Sequence, residues 1–178
     1  MDAKAELTPN PPQPPSPSPD AATPPDWRQQ AAARRLLDWN PEAILDGQFA
    51  LGELSLTIAA AALPTVAAWL RDDAELRFDL LADITCVDHF PADPRFAVVY
   101  QLYSTSRHHW LRLKVRTNAD QAVPSLTPVW PSANWCEREV FDLFGVQFAG
   151  HPFLRRIMMP DNWEGHPMRK DYPVEGYR

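Results

Sequence analysis

The sequence predicts an α+β fold, a mostly antiparallel sheet packed by helices, set between a Pro-rich N-terminal segment and an extended, irregular C-terminal tail. Three observations carry that expectation. Apolar and polar residues alternate through 111–116, and a matching two-residue period runs through 96–103, as in strands that bury one face. Apolar residues recur every three to four positions through 132–144, the spacing of a helix with one buried stripe. Residues 1–25 and 146–178 hold neither period, which bounds the folded domain at 26–145.

The elements follow in order. Asp26 is a candidate N-cap for a helix over 27–39. Asn40-Pro41 stops it, because the residue before a proline is pushed out of the helical region. Leu54, Leu56 and Ile58 alternate with smaller or polar residues and predict a strand. Leu63, Val66, Ala67 and Leu70 share one helical face and predict a short helix over 64–71. Within 75–87, Phe78, Leu80, Ala82 and Ile84 favour a strand with one buried face, and Pro91 and Pro94 bound a loop. The two strands that follow form an antiparallel hairpin. Leu111, Leu113 and Val115 point to the core, while Arg112, Lys114 and Arg116 make a basic outward face.

The helix over 132–144 opens at Pro131, Ser132 or Asn134, with Glu137 placed to complete a capping box from Asn134. Gly145 closes it. Cys136, Val140, Leu143 and Phe144 form its apolar stripe. Trp135, Arg138, Glu139 and Asp142 lie on the opposite side, which is expected to be free to bind. Beyond Val146, prolines and glycines break every period. Yet this stretch holds Phe148, Phe153, Leu154, Ile157, Met158, Met159, Trp163, Met168, Tyr172 and Tyr177, far more apolar surface than a disordered tail carries. The expectation is that it packs on a partner surface.

Composition narrows the function. Nine of the twenty prolines lie between Pro9 and Pro25, in a segment too poor in apolar residues to offset the entropy of ordering, so residues 1–25 read as disordered. A net charge of −6 argues against nucleic acid. Residues 101–178 hold 10 Lys and Arg against 8 Asp and Glu, so this part can meet acidic partners. No run reaches the roughly 18 apolar residues of a membrane span, and no signal segment is expected, so membrane contact would come through partners. Cys86 and Cys136 lack CxxC spacing, as in a reducing compartment.

No flavin, nicotinamide or iron–sulfur signature is present. The six glycines form neither a dinucleotide fingerprint nor a P-loop, and two cysteines cannot hold an iron–sulfur cluster. His108-His109 reads as a solvated loop pair, and His89 as locally bonded. His151 and His166 recur in Gly-His-Pro, where glycine permits a bend and proline extends the backbone, a structural arrangement with no further metal ligands. Glu137, Arg138, Glu139, Asp142, Arg155, Arg156, Arg169, Lys170 and Asp171 lie interleaved with aromatics, as at an interface.

The string from Trp135 through Gly145, with Gly150-His151-Pro152 and Leu154-Arg155-Arg156-Ile157, resembles the signature of one family. It is that of the smaller hydrophilic, thirty-kilodalton-type subunit of respiratory NADH:quinone oxidoreductase (complex I). Met159-Pro160-Asp161, Trp163-Glu164-Gly165-His166-Pro167 and Arg169-Lys170-Asp171-Tyr172-Pro173 match that family's tail, and Leu80 to Ile84, Asp88, Arg95-Phe96 and Val98 to Tyr100 extend the likeness over most of 51–178. The chain departs from the pattern at Met168, Asn162 and Phe153, and its end at Arg178 reads as the unfused form.

The resemblance implies an α/β sandwich whose tail wraps the large quinone-site subunit on the cytoplasmic side of the inner membrane, in a proton-translocating assembly. It implies that this chain binds no cofactor, with FMN and iron–sulfur clusters in partner subunits. The interface expected on that basis comprises Trp135, Glu137, Arg138, Glu139, Asp142, His151, Arg155, Arg156, Trp163, His166, Arg169, Lys170, Asp171 and Tyr172. The readings set against it are the equivalent chain of a membrane-bound hydrogenase or other donor:quinone complex, a freestanding hydrolase using His151, His166 and Asp171, and a Pro-rich adaptor. Deleting residues 1–25 is expected to change stability by less than about 0.5 kcal/mol. The melting temperature of the truncated chain checks this, and a fall of many degrees would show that the segment packs on the domain.

Overall fold

The computed structural model describes residues 26–176, so residues 1–25, expected to be disordered, and Tyr177 and Arg178 lie outside it. Its frame is a five-stranded sheet ordered β1-β2-β5-β4-β3, formed by Ile44–Ala50 (β1), Glu53–Ile58 (β2), Leu80–Asp88 (β3), Phe96–Ser104 (β4) and His109–Thr117 (β5). All neighbours are antiparallel except β2 and β5, which run parallel. Three helices cover one face, Ala31–Trp39 (α1), Leu63–Asp72 (α2) and Ala133–Phe144 (α3). A short parallel pair, Val123–Pro124 (β6) with Phe148–Ala149 (β7), ties the segment before α3 to the one after it. None of the helices among the described residues is long and apolar enough to cross a membrane.

The hairpin of β4 and β5 is the centre of the core. Leu111, Leu113 and Val115 are buried opposite Leu102, Tyr100 and Val98, and β2 adds Leu54, Leu56 and Ile58 on the same face. Onto this surface α1 lays Ala32, Ala33 and Leu36, α2 lays Leu63, Val66, Ala67 and Leu70, and α3 lays Ala133, Val140 and Phe144. The sheet is buried on the helical side, as the alternation in β5 requires.

The structure departs from the sequence reading at three places. The helix over 27–39 is broken at Gln30, which is extended, and Asp26 instead caps a short 3-10 turn, Trp27–Gln29. The cause is packing. Trp27 lies against β1 at Gly47, where a Cβ would run into the indole. β1 itself leaves no clear sequence pattern, because it is a largely exposed edge strand containing Asp46 and Gly47. Its turn to β2 places both Leu51 and Gly52 at positive φ, 53° and 80°, the backbone of a two-residue hairpin turn. Leucine is an unusual occupant of such a position, so the hairpin was not legible.

The third departure concerns phase. The sequence favours Leu80, Ala82 and Ile84 on one buried face, but the register shifts between Leu81 and Asp83. This bulge takes up Ala82, so that Leu81 pairs with Leu102 and Ile84 with Tyr100 on the core side. Leu80 is 42% exposed and Leu81 only 2%. Phe78 is buried but precedes the strand, where its ring meets His109 edge-on with centroids 4.8 Å apart. His108 is exposed, as expected of a loop pair, and meets the Tyr103 hydroxyl through Nδ1 at 3.2 Å, whereas His109 is half-buried against Phe78.

Leu81→Ala is expected to cost about 2–5 kcal/mol, as for a buried leucine, and Leu80→Ala to stay within about 0.5 kcal/mol of neutral. Chemical denaturation of the two variants reads the phase of β3 directly, and the reverse ranking would place the bulge elsewhere.

Candidate functional site

Helix α3 is wrapped on two sides. Its core stripe runs Ala133, Glu137, Val140, Phe144, so a carboxylate occupies a position that apolar spacing alone would give to a hydrophobic residue. Glu137 is fully buried. Its two oxygens accept from the Ser125 hydroxyl and the Leu126 amide, both at 2.6 Å. The capping box expected of Glu137 is therefore absent, as is its place on a binding face, and it anchors the segment before the helix instead. Ser132 stands at the N-cap without a side-chain cap and gives its hydroxyl to the Leu81 carbonyl at 3.4 Å. Burial pushes the Glu137 carboxyl up to about 7, because two neutral donors do not offset the loss of water.

Asp142 was expected on a face free to bind. It is fully buried beneath the chain's own tail. Oδ2 accepts from the amides of Ile157, Met158 and Met159 at 2.9, 2.7 and 2.9 Å, and Oδ1 from Arg156 Nη1 at 2.8 Å. Burial alone would raise this carboxyl, but the three amides and the guanidinium outweigh it and hold it below the usual carboxylate range. Arg156 reaches on to the Gly165 carbonyl at 3.0 Å, which draws the next loop in.

Other contacts fasten the tail along the whole length of α3. At its start, His151 accepts from the Phe153 amide at Nδ1 (3.0 Å), which leaves Nε2–H to donate to the Asn134 carbonyl at 3.2 Å. In the middle, Arg138 donates to the carbonyls of Arg155 and Arg156 at 3.0 and 3.2 Å. At its end, the carbonyls that a helix leaves unbonded are taken up by the tail: Asp142 O by His166 Nδ1 (2.8 Å), Leu143 O by the Met168 amide (3.1 Å) and Phe144 O by Arg169 Nε (2.6 Å). A cation at a helix C-terminus is favourable in its own right. Gly145 has φ 75°, and a Cβ there would run into Arg169 and His166, so the tail itself demands the glycine.

A final clamp joins tail to sheet. Asp88 is 5% exposed at an inward position of β3 and accepts from Arg95 Nε and Nη2 at 2.9 and 2.7 Å, and from the amides of Phe90 and Lys170, both at 2.9 Å. Arg95 also holds both oxygens of Asp171, at 2.9 and 2.6 Å. The Arg95 guanidinium keeps the Asp88 carboxyl well below its ordinary value despite burial. Asp88 and Arg95 were seen only as matches to the family pattern. The signal for a structural role was an acid in phase with the buried Ile84 and Cys86.

The tail therefore orders on its own domain, which corrects the expectation that it packs only on a partner. Val146 and Phe148 enter the core and Leu154 packs against it, and past them the tail buries chiefly backbone and polar side chains. Its large apolar groups face out: Phe153, Met158, Trp163 and Met168 are 50%, 57%, 40% and 56% exposed, and Trp135 of α3 is 64% exposed. Arg138 lies over both the Trp135 and Phe153 rings, and Arg155 over Phe153 at 4.3 Å. Glu139 is exposed without a hydrogen bond or ion pair among the described residues, and Tyr172 turns its hydroxyl to the Glu164 carbonyl at 3.4 Å. Among the described residues, no three His, Cys, Asp or Glu are grouped to hold a metal ion. Burial raises the Cys86 thiol to about 12, so it stays protonated.

Residues 56–178 match the family model described as "Respiratory-chain NADH dehydrogenase, 30 Kd subunit". The chain is 47% identical over 135 residues to an NADH-quinone oxidoreductase subunit of Roseiflexus castenholzii, covering 75% of this chain and 78% of that one. The like-named protein of Caulobacter vibrioides is 48% identical over 134 residues, covering 75% and 68%. A chain of the solved membrane-bound sulfane sulfur reductase (MBS), described as an archaeal respiratory membrane complex, superposes with a TM-score of 0.67 at 26% identity, covering 79% of this chain and 83% of that one.

The buried carboxylates set opposite pH dependences. Glu137 has a folded pKa above its unfolded value, so its contribution is fully present below about pH 4.5 and is lost as pH rises through about 7. Asp88 and Asp142 are held low, so theirs is present above the unfolded value and lost as pH falls. Glu137→Gln is expected to remove a loss of stability of up to about 3 kcal/mol between pH 5 and 8. Denaturation midpoints across that range check it, and parallel profiles for the two proteins would show that Glu137 does not titrate there.

Proposed function

We propose, from the premise that this chain belongs to the 30 kDa subunit family of the respiratory-chain NADH dehydrogenase, that it docks the large quinone-site subunit through the outward apolar row of its tail and α3. The chain is a subunit of NADH-quinone oxidoreductase and works as part of that assembly. The carrying observation is the division within the tail, whose backbone is bonded to the domain while Phe153, Met158, Trp163 and Met168 face outward beside Trp135. A segment held rigid before it meets its partner loses little entropy on binding, and exposed aromatics flanked by Arg138 and Arg155 are the side chains that anchor interfaces.

In this reading the chain supports electron transfer from NADH to quinone without carrying a redox centre. FMN and the iron–sulfur clusters belong to partner subunits, and the chain meets the membrane from its cytoplasmic side through them. The hydrolase reading has no support. His151, His166 and Asp171 are each engaged by a different group, respectively Asn134, the Asp142 carbonyl and Arg95. The likeness to a sulfane sulfur reductase chain shows that this fold also serves another respiratory membrane complex. Identity of 47% to NADH-quinone oxidoreductase chains, against 26% there, favours NADH as the donor. Co-purification of a flavin subunit decides it.

Phe153→Ala with Trp163→Ala is expected to leave the free chain within about 0.5 kcal/mol of wild type, as for exposed positions, and to cut its recovery in the complex about tenfold or more. The measurements are the melting temperature of the free chain, the abundance of the complex and its NADH:quinone activity. Unfolding of the free chain would assign these residues to the fold, and no change anywhere would make the row a solvated surface.

A further inference from the structure

The basic outward row of β5 takes no part in fastening the tail to α3. Arg112, Lys114 and Arg116 project from the sheet face opposite the helices. Arg112 is matched by Glu53, Nη2 to Oε2 2.6 Å. Arg116 gives an N–H to the Pro94 carbonyl at 2.8 Å, which leaves its charge unmatched. Lys114 has no hydrogen bond or ion pair among the described residues.

The register decides what surrounds these two cations. Lys114 stands opposite Val99 and then Thr85, and Arg116 opposite Ala97 and then Val87. His89 continues the outward phase of Val87, and the Lys170 amide, bonded to the neighbouring Asp88 at 2.9 Å, brings the Lys170 side chain to the same corner. Burial and then the charges of Arg116, Lys170 and Lys114 depress the His89 imidazole, against the opposing effect of Asp88, so the field at this corner is positive. Of the nearby acids, Asp88 and Asp171 both hold Arg95 and Asp93 is bonded to Asn118 at 2.7 Å, while Asp46 stands across Thr57 from Lys114 on the exposed edge strand without an ion pair among the described residues. Val87 and Phe90, 43% and 48% exposed, complete the surface with apolar area.

We propose that this corner of the sheet, made by Val87, His89, Phe90, Lys114, Arg116 and Lys170, is a second docking surface whose occupant is an acidic segment of another subunit of the assembly. Charge complementarity selects the occupant, since unmatched cations beside exposed apolar side chains fit carboxylates carried on a peptide. A lipid surface fits less well, because anionic-lipid recognition uses clusters of about four to eight basic residues. The proposal rests on the chain working within a multisubunit assembly. It adds a contact on the face of the sheet that α3 does not cover.

Carbodiimide joins an amine to a carboxylate with no spacer. Applied to the intact complex, it is expected to couple Lys114 or Lys170 to an Asp or Glu of another subunit, and acetylation of Lys114 should run several-fold slower in the complex than in the free chain. Lys114→Glu with Arg116→Glu in the full chain should leave the melting temperature unchanged and lower its retention in the complex about tenfold at raised salt. Equal acetylation in both states without such a crosslink overturns the inference. So does binding of the free chain to phosphatidylserine vesicles that the double variant abolishes, again without a crosslink, because the patch would then serve a phosphate surface. Neither crosslinking nor acetylation at Lys114 depends on how the Phe153 and Trp163 variants assemble, so the two readings fail separately.

Discussion

The carboxylate of Asp142 gathers three consecutive backbone amides and one guanidinium, and the path of the last part of the chain depends on that arrangement. Residues 157–159 have no repeating structure to satisfy their N–H groups, and unpaired buried amides are costly. A single acid on a rigid helix resolves this. It fixes a turn at one point, and Arg156 carries the constraint on to Gly165. From there His166, Met168 and Arg169 fall onto the open end of α3, which needs acceptors filled as much as the tail needs donors placed. Each side supplies what the other lacks.

Two buried carboxylates on one helix show how environment separates like groups. Glu137 and Asp142 are both fully buried. Glu137 meets one hydroxyl and one amide and its proton is held more tightly, up to about 7. Asp142 meets three amides and a cation and its proton is held less tightly than usual. Donors and depth act together: Glu137 lies deeper with two neutral donors, whereas Asp142 lies shallower with three amides and a cation. The first acid binds α3 to the segment before it and the second to the segment after it, so the helix is the junction of the whole C-terminal half.

That junction has a consequence for the surface. Because the tail beyond Leu154 is fastened chiefly by polar groups and backbone, Phe153, Met158, Trp163 and Met168 are not consumed in its own folding. They remain outward beside Trp135 and the cations of Arg138 and Arg155. A tail ordered only by its partner would have to organise many residues at the moment of binding. Here the domain has already set the geometry, and the Arg95 clamp to Asp88 and Asp171 secures the far end. Rigid presentation of aromatic side chains is a sound basis for a stable contact between subunits.

The sequence by itself determined the elements whose period is set by one buried face. β4, β5, α2 and α3 were legible because alternation and helical spacing are local records of burial. The family was legible too, since the run from Trp135 through Gly145 and the tail motifs are ordered strings of specific residues. Tertiary structure decided what depends on contacts between distant positions. β1 was illegible because an exposed edge strand has no buried face to record, and the bulge at Ala82 because a shift of one residue leaves the composition unchanged. Glu137 and Asp142 were read as surface groups, since local spacing cannot know that Ser125 and Leu126 would approach one side of α3 and residues 156–159 the other. A charged side chain announces only that it needs partners. Whether those are water, another subunit or its own chain is settled by which segments the fold brings within hydrogen-bonding distance.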